Sequence, residues 1–169
     1  MTSNSPCPTI LKLSVKAGLA LGILRGFWIM VEHLAGIRTD HLESVELSYG
    51  IFLSLGTLFV WWRFLHVDSQ DPHLTSRDLL MGGVGAGLIS GAIHVLTFYA
   101  YTRWINPEYL DAFIAWNVDH SSNTFEIANR EFRLPAFLDI LLVHPVIFNP
   151  IAASLVNLVL TKLSPTSQN

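Results

Sequence analysis

Between Leu79 and Tyr101 the chain carries no aspartate, glutamate, lysine or arginine, and its only basic side chain is His94. As an α-helix this run is long enough to cross the roughly 30 Å hydrocarbon core of a bilayer. It lacks the polar face that a soluble helix of such length turns to water. Three other runs follow the same pattern. Leu13 to Gly36 is apolar except at Lys16, Arg25, Glu32 and His33. Leu47 to Leu65 is apolar until Arg63, and Phe137 to Leu163 is interrupted at Asp139, His144 and Lys162. Spans are expected at 13–36, 45–66, 79–102 and 137–162, with 105–134 as the one sizeable non-spanning segment. Composition agrees: 51% of the residues are hydrophobic and 14% charged, against roughly 25% charged in an ordinary soluble domain. Mean hydropathy is +0.44. The fold class is therefore all-α, a polytopic transmembrane four-helix bundle forming a single integral membrane domain over 1–169. The competing fold is a buried soluble bundle, which needs the polar faces that these runs lack.

Charge and cysteine usage exclude other classes. Ten basic and thirteen acidic residues give a net charge of −3, leaving no basic excess to neutralise phosphates, so no nucleic-acid partner is expected. The single cysteine, Cys7, permits neither an intrachain disulfide framework nor a cysteine-built metal site. Residues 1–8 are short and polar, and the first span reads as an uncleaved anchor. The tail, Ser164 to Asn169, reads as frayed.

Helix-end signals support these boundaries. Asp40 with Glu43, and Thr75 with Asp78, are spaced as capping boxes ahead of the second and third spans. Asp71-Pro72 falls in the connecting turn. Asn106-Pro107-Glu108 reads as N-cap, first helical residue and an acid on the helix dipole. Tyr109, Leu110, Phe113 and Ile114 then form one stripe, as in a short amphipathic helix at the membrane interface. A second short helix is expected from Asn123, with Glu126 as its capping partner. Trp61, Trp62 and Trp104 suit interfacial aromatic belts. Lys12, Lys16, Arg63, Arg77 and Lys162 fall on the side of both termini, and Arg38, Arg103, Arg130 and Arg133 on the other. This bias, with most acids on the far side, places both termini in the cytoplasm.

Three features could carry function. The first is small-residue stripes: Gly83, Gly87 and Gly91 in the third span, and Gly18 and Gly22 in the first, which let helix backbones approach closely. The resemblance of Ala17-Gly18-Leu19 with Gly22 to Ala86-Gly87-Leu88 with Gly91 hints at a duplicated hairpin. The second is a polar layer at membrane depth made of Arg25, Glu32, His33, His94 and His144. In one reading Arg25 pairs with Glu32 or with carbonyls, and the layer is structural. In another it is a proton or solute site. In a third, His94 and His144 ligate a haem or metal, although HExxH spacing is absent. The third feature is Pro145 and Pro150 in the last span, which either kink the helix or break it to line a polar cavity with Asn149 and Asn157. Walker, dinucleotide-fingerprint and nucleophile-elbow patterns are absent. Gly82-Gly83-Val84-Gly85 sits inside an apolar span and is a poor phosphate cradle.

A basic N-terminal stretch leads into a glycine-containing first span, and the second span ends in aromatic and basic residues. A capped, glycine-rich third span runs into Ile105-Asn106-Pro107-Glu108-Tyr109, followed by an amphipathic stretch and a proline-containing last span. This layout is similar to that of the small bacterial membrane proteins grouped as domain of unknown function family 4199. The resemblance covers Leu11 to Leu163. It implies a bacterial origin and the plasma membrane, and it implies no activity and no catalytic residue. The expectation is a non-enzymatic accessory or structural membrane protein without cofactor. Its partners would be the lipid bilayer and a second copy or another membrane protein. The alternative is a small proton-linked transporter or channel using the polar layer.

Overall fold

The computed structural model describes residues 8–68, 75–121 and 124–163. Cys7, the Asp71-Pro72 turn, Asn123 and the tail Ser164 to Asn169 lie outside the described residues. Within them, four long helices dominate: α1 (Pro8–Leu34), α2 (Val45–Arg63), α3 (Ser76–Ala100) and, after two short ones, α6 (Leu134–Leu163). The short ones are α4 (Tyr109–His120) and α5 (Phe125–Glu131), both in the segment between the third and fourth spans. Single π-helical turns extend α2 to Asp68 and α3 to Ile105. The stretches long and apolar enough to cross a membrane are Ile10–Leu34, Leu42–His66, Ser76–Ile105 and Leu134–Lys162. Each long helix also turns large apolar side chains outward. Leu19, Ile23 and Phe27 are exposed on α1, Ile51, Leu55 and Phe59 on α2, Leu88 and Leu96 on α3, and Ile147 and Ile151 on α6. A soluble monomer rarely shows so much exposed apolar surface. The chain is a multi-pass membrane protein.

Helix α3 is the centre of the bundle. It packs closely on α1 and α6, while α2 packs more loosely on α1 and α6. The glycine stripes explain the close contacts. A methyl group added at Gly18 or Gly22 would lie 2.7 Å from Ile89 Cβ or Ile93 Cβ of α3. One at Gly87 would lie 2.6 Å from Pro145 O and Val146 Cα of α6, and one at Gly83 2.6 Å from Pro150 N. At Gly91 the nearest neighbour is Leu142, at 3.1 Å. Both stripes are thus occupied within the chain, each receiving the backbone or branched side chains of the next long helix.

Pro145 and Pro150 lie inside α6, which runs as α-helix from Leu134 to Leu163. The broken-helix reading is therefore corrected. The helix goes on through both prolines, which serve as the surface that meets Gly87 and Gly83. Asn149 does not line a polar cavity either. It is fully buried, donates to Pro145 O at 2.8 Å and accepts from Trp61 Nε1 at 3.0 Å. Trp61 is itself fully buried and so belongs to no interfacial belt, whereas Trp62 and Trp104 are exposed.

The helix ends agree with expectation in part. Thr75 and Asp78 form the capping box of α3, each side chain bonding the other's backbone N–H. Asp40 and Glu43 do not form one. The chain leaves α1 through a Schellman turn in which Ile37 N–H reaches Glu32 O and Gly36 N–H reaches His33 O. Gly36 holds φ +75°, a conformation that side-chain-bearing residues rarely adopt. This turn takes up the Asp40 N–H through Gly36 O, and α2 is entered by a 3₁₀ turn, Leu42–Ser44, without a side-chain cap. Asn106 is not the N-cap of α4, because the π turn ends on it and its amide donates to Tyr101 Oη. Helix α4 instead starts after Glu108. Thr124 caps α5 by accepting from Ile127 N–H.

The apolar stripe of α4 faces the bundle. Tyr109, Phe113 and Ile114 are buried, and the first two join Ile29, Leu42, Val45, Phe98, Tyr101 and Leu141 in one core cluster. A second cluster fills the other end, with Leu13, Ala17, Leu21, Trp61, Leu79, Ala86 and Ala153. Arg25 lies between Leu21 and Ile29 on α1, and His94 between Ala86 and Phe98 on α3. The two clusters are therefore separated by polar groups.

Candidate functional site

Leu21, Arg25, Ile29 and Glu32 are all buried, at the four- and three-residue spacing that puts them on one stripe of α1. Helix geometry thus sends Arg25 and Glu32 into the bundle one after the other, and the loop that follows decides their partners. The Schellman turn folds Arg38 back over the end of α1. Arg38 Nε donates to Glu32 Oε2 at 2.8 Å, and its terminal nitrogen lies 2.7 Å from the same oxygen. Trp28 Nε1 donates to Glu32 Oε1 at 2.9 Å, and the Ser48 hydroxyl donates to that oxygen too. Both carboxylate oxygens are used, so the Arg25–Glu32 pair envisaged from spacing does not form.

Arg38 also lies over two aromatic rings, 5.1 Å from the Tyr109 centroid and 5.6 Å from that of Tyr101. His33 Nδ1 is 3.3 Å from the Tyr101 hydroxyl. Glu32 and His33 therefore belong to a polar lock that ties the α1–α2 turn to the end of α3 and to α4. Burial pushes the Tyr109 phenol up to about 12.

Arg25 has no such partners. It is 1% exposed, and none of its three guanidinium nitrogens has a hydrogen-bond partner. It lines a cavity of about 320 Å³. His94 and His144 line the same cavity; Glu32 and His33 do not. The five-residue layer thus divides into a cavity set, Arg25, His94 and His144, and a lock set, Glu32 and His33. His94 is buried, and the Tyr49 hydroxyl lies 2.5 Å from its Nε2 and 3.0 Å from its Nδ1. His144 is exposed and stacks on Phe148. Tyr49 and Ser54 of α2 add two hydroxyls to the lining, and Arg38 and Glu46 reach it too. Arg38 is neutralised by Glu32, while Glu46 is exposed at the start of α2 and makes no hydrogen bond with Arg25. The rest of the wall is apolar, with Phe98, Phe113, Phe132 and Phe137 on one side and Leu53, Ile140 and Leu141 on another.

A planar cation with unpartnered donors, facing a mostly apolar cavity, has the chemistry to receive an anion. Guanidinium forks match carboxylate and phosphate oxygens in pairs. Water cannot make up the loss of solvation as cheaply as it does at a surface, so a resident charge without a counterion is costly there. As to the metal reading, no group of three or more His, Cys, Asp or Glu side chains converges among the described residues.

Sequence reasoning missed Arg38, Tyr49, Ser48, Tyr101 and Tyr109. In the sequence Arg38 stands only among the basic residues of the far side, with Arg103, Arg130 and Arg133. Its signal was Gly36, the helix-stop glycine that folds the following residues back over the last turn. Nothing local marks Tyr49, which reaches His94 of α3 only because α2 packs on α1 and α6 at the edge of the cavity. Compared with known protein families, curated proteins and solved structures, the chain matches none.

Proposed function

We propose that the protein is a non-enzymatic membrane carrier or receptor that binds an organic anion on Arg25 inside its helical bundle. The observation that carries this reading is the fully buried guanidinium with three unpartnered nitrogens facing a cavity. A purely structural arginine would be expected to use Glu32 or free carbonyls, and Glu32 is occupied by Arg38, Trp28 and Ser48. The accessory-subunit reading draws less support, because its packing stripes at Gly18, Gly22, Gly83, Gly87 and Gly91 are filled by helices of the same chain. The proton-coupled form of transport loses Glu32 as its carrier group. The membrane we propose is the bacterial plasma membrane, on the resemblance of the layout to domain of unknown function family 4199. Both termini are assigned to the cytoplasm, on the bias of Lys and Arg.

The test is thermal unfolding of the protein in nanodiscs against a panel of small organic carboxylates and phosphates, with uptake into proteoliposomes of any that binds. A ligand at a hundredfold excess over its Kd is expected to raise Tm by roughly 5 °C or more, and Arg25→Gln to abolish the rise. A panel in which no anion raises Tm, or a rise that survives in Arg25→Gln, defeats the proposal.

A further inference from the structure

We infer that the anion is amphiphilic, a single hydrocarbon chain with a carboxylate or phosphate head, and that it reaches Arg25 sideways from the bilayer between α2 and α6. This rests on the anion-binding reading above and adds to it the chemistry of the tail and the route.

The lining argues for a tail. Arg25 supplies the one cation not already neutralised, at the end of a wall built from Phe98, Phe113, Phe132 and Phe137. These rings pack on one another, with centroids 5.2 to 5.8 Å apart for Phe113–Phe132, Phe98–Phe137 and Phe113–Phe137. A compact polar anion would leave the cavity face of that wall uncovered, whereas a hydrocarbon chain covers it. The volume of about 320 Å³ is at the small end of ligand pockets, enough for one chain and too little for the body of a two-chain phospholipid.

The route follows from a loosely packed side of the bundle, where α2 meets α6. Two lining residues, Gly50 of α2 and Ile140 of α6, are exposed on the outer surface, Ile140 by 57%. A Cβ built at Gly50 meets nothing within 4 Å. Unlike Gly83 or Gly87, this glycine fits no helix. It leaves an opening, and the opening lies within the stretch of α2 that is apolar enough to span the membrane. Arg25 lies nine residues before the end of α1 at Leu34, roughly 13 Å along the axis. A head entering from the side at that depth meets Arg25 with its chain free to lie along the phenylalanine wall.

The experiment uses the full chain in phosphatidylcholine nanodiscs, with radiolabelled dodecanoate, dodecyl phosphate and benzoate as probes, counted above empty nanodiscs. The variants are Arg25→Gln, Gly50→Trp and, from the opposite wall, Ile140→Trp. Each is first shown to keep the helical circular-dichroism spectrum of the parent. Saturable binding of either dodecyl probe is expected, one per chain and at least tenfold tighter than benzoate. Arg25→Gln should weaken it by about tenfold or more. Gly50→Trp or Ile140→Trp should slow or block binding of the dodecyl probes. Benzoate binding as tightly as dodecanoate, and depending on Arg25, overturns the amphiphile inference and leaves the anion-binding reading standing. Dodecyl binding indifferent to both tryptophan variants overturns the lateral route. If no probe binds in an Arg25-dependent way, both readings fall.

Discussion

Arg25 and Arg38 are two buried arginines in opposite circumstances. Arg38 meets a carboxylate and two aromatic rings, and Arg25 meets an empty space. Their substitutions should therefore have opposite signs. Replacing a buried charge that lacks a partner by an apolar residue of similar volume removes a desolvation penalty. Arg25→Met is expected to raise ligand-free stability by about 1–4 kcal/mol. Chemical denaturation in detergent checks this, and a loss of stability would show that Arg25 is held by partners the geometry does not contain. Glu32→Ala leaves Arg38 buried without its carboxylate and should cost about 3–5 kcal/mol. The double variant Glu32→Ala with Arg38→Met should recover part of that cost, so the double-mutant cycle is strongly non-additive. Additive losses would mean that the pair is not coupled.

At the level of helices, glycines of similar appearance in the sequence do different work. Gly87 lies against the backbone of α6 at Pro145 and Val146, neither of which can rotate away as a flexible side chain could. Gly87→Ala should destabilise the bundle by about 1–3 kcal/mol, and Gly50→Ala, with open space, should change it by no more than about 0.5 kcal/mol. Equal effects at the two positions would contradict the α3–α6 packing. Helix α4 docks through Tyr109, whose phenol ionises near pH 12 in the folded chain against 10.0 unfolded. Between those values the unfolded chain gives up the proton and the folded chain keeps it, so stability should fall as pH rises from 10 towards 12. The slope should be reduced in Tyr109→Phe, as read by denaturation at matched pH; an unchanged slope would place its origin elsewhere.

For the whole molecule the outward apolar faces are the deciding surface. Leu88 is exposed on α3, one residue and so roughly 100° around the helix from Gly87. Leu88→Arg should cost about 2.5–3.5 kcal/mol of membrane insertion, on the scale measured for a charge at the centre of a spanning helix. The same substitution on a soluble protein's surface would be nearly neutral. Insertion efficiency in a translocation assay distinguishes the two, and an unaffected level would argue that this face does not meet lipid.

The long apolar runs determined the four spans, because a membrane helix is specified by length and hydropathy alone and needs no knowledge of its neighbours. The observed ends at Leu34, His66, Ile105 and Lys162 fall within a few residues of those read from the runs at 36, 66, 102 and 162. The Thr75–Asp78 box was legible for the same reason, being complete within one turn. What lay beyond local information was every pairing across elements. The spacing of Arg25 and Glu32 put them on one face, yet Arg38 took the carboxylate because a Schellman turn at Gly36 carried it there. The glycines were visible as stripes, but their partners depend on which helix α3 meets on each side. Tertiary structure alone decided that His94 and His144 share a cavity with Arg25 and that Glu32 does not. Two residues on one helix have their geometry fixed by its pitch, while residues on different helices meet only where the packing of whole faces brings them together.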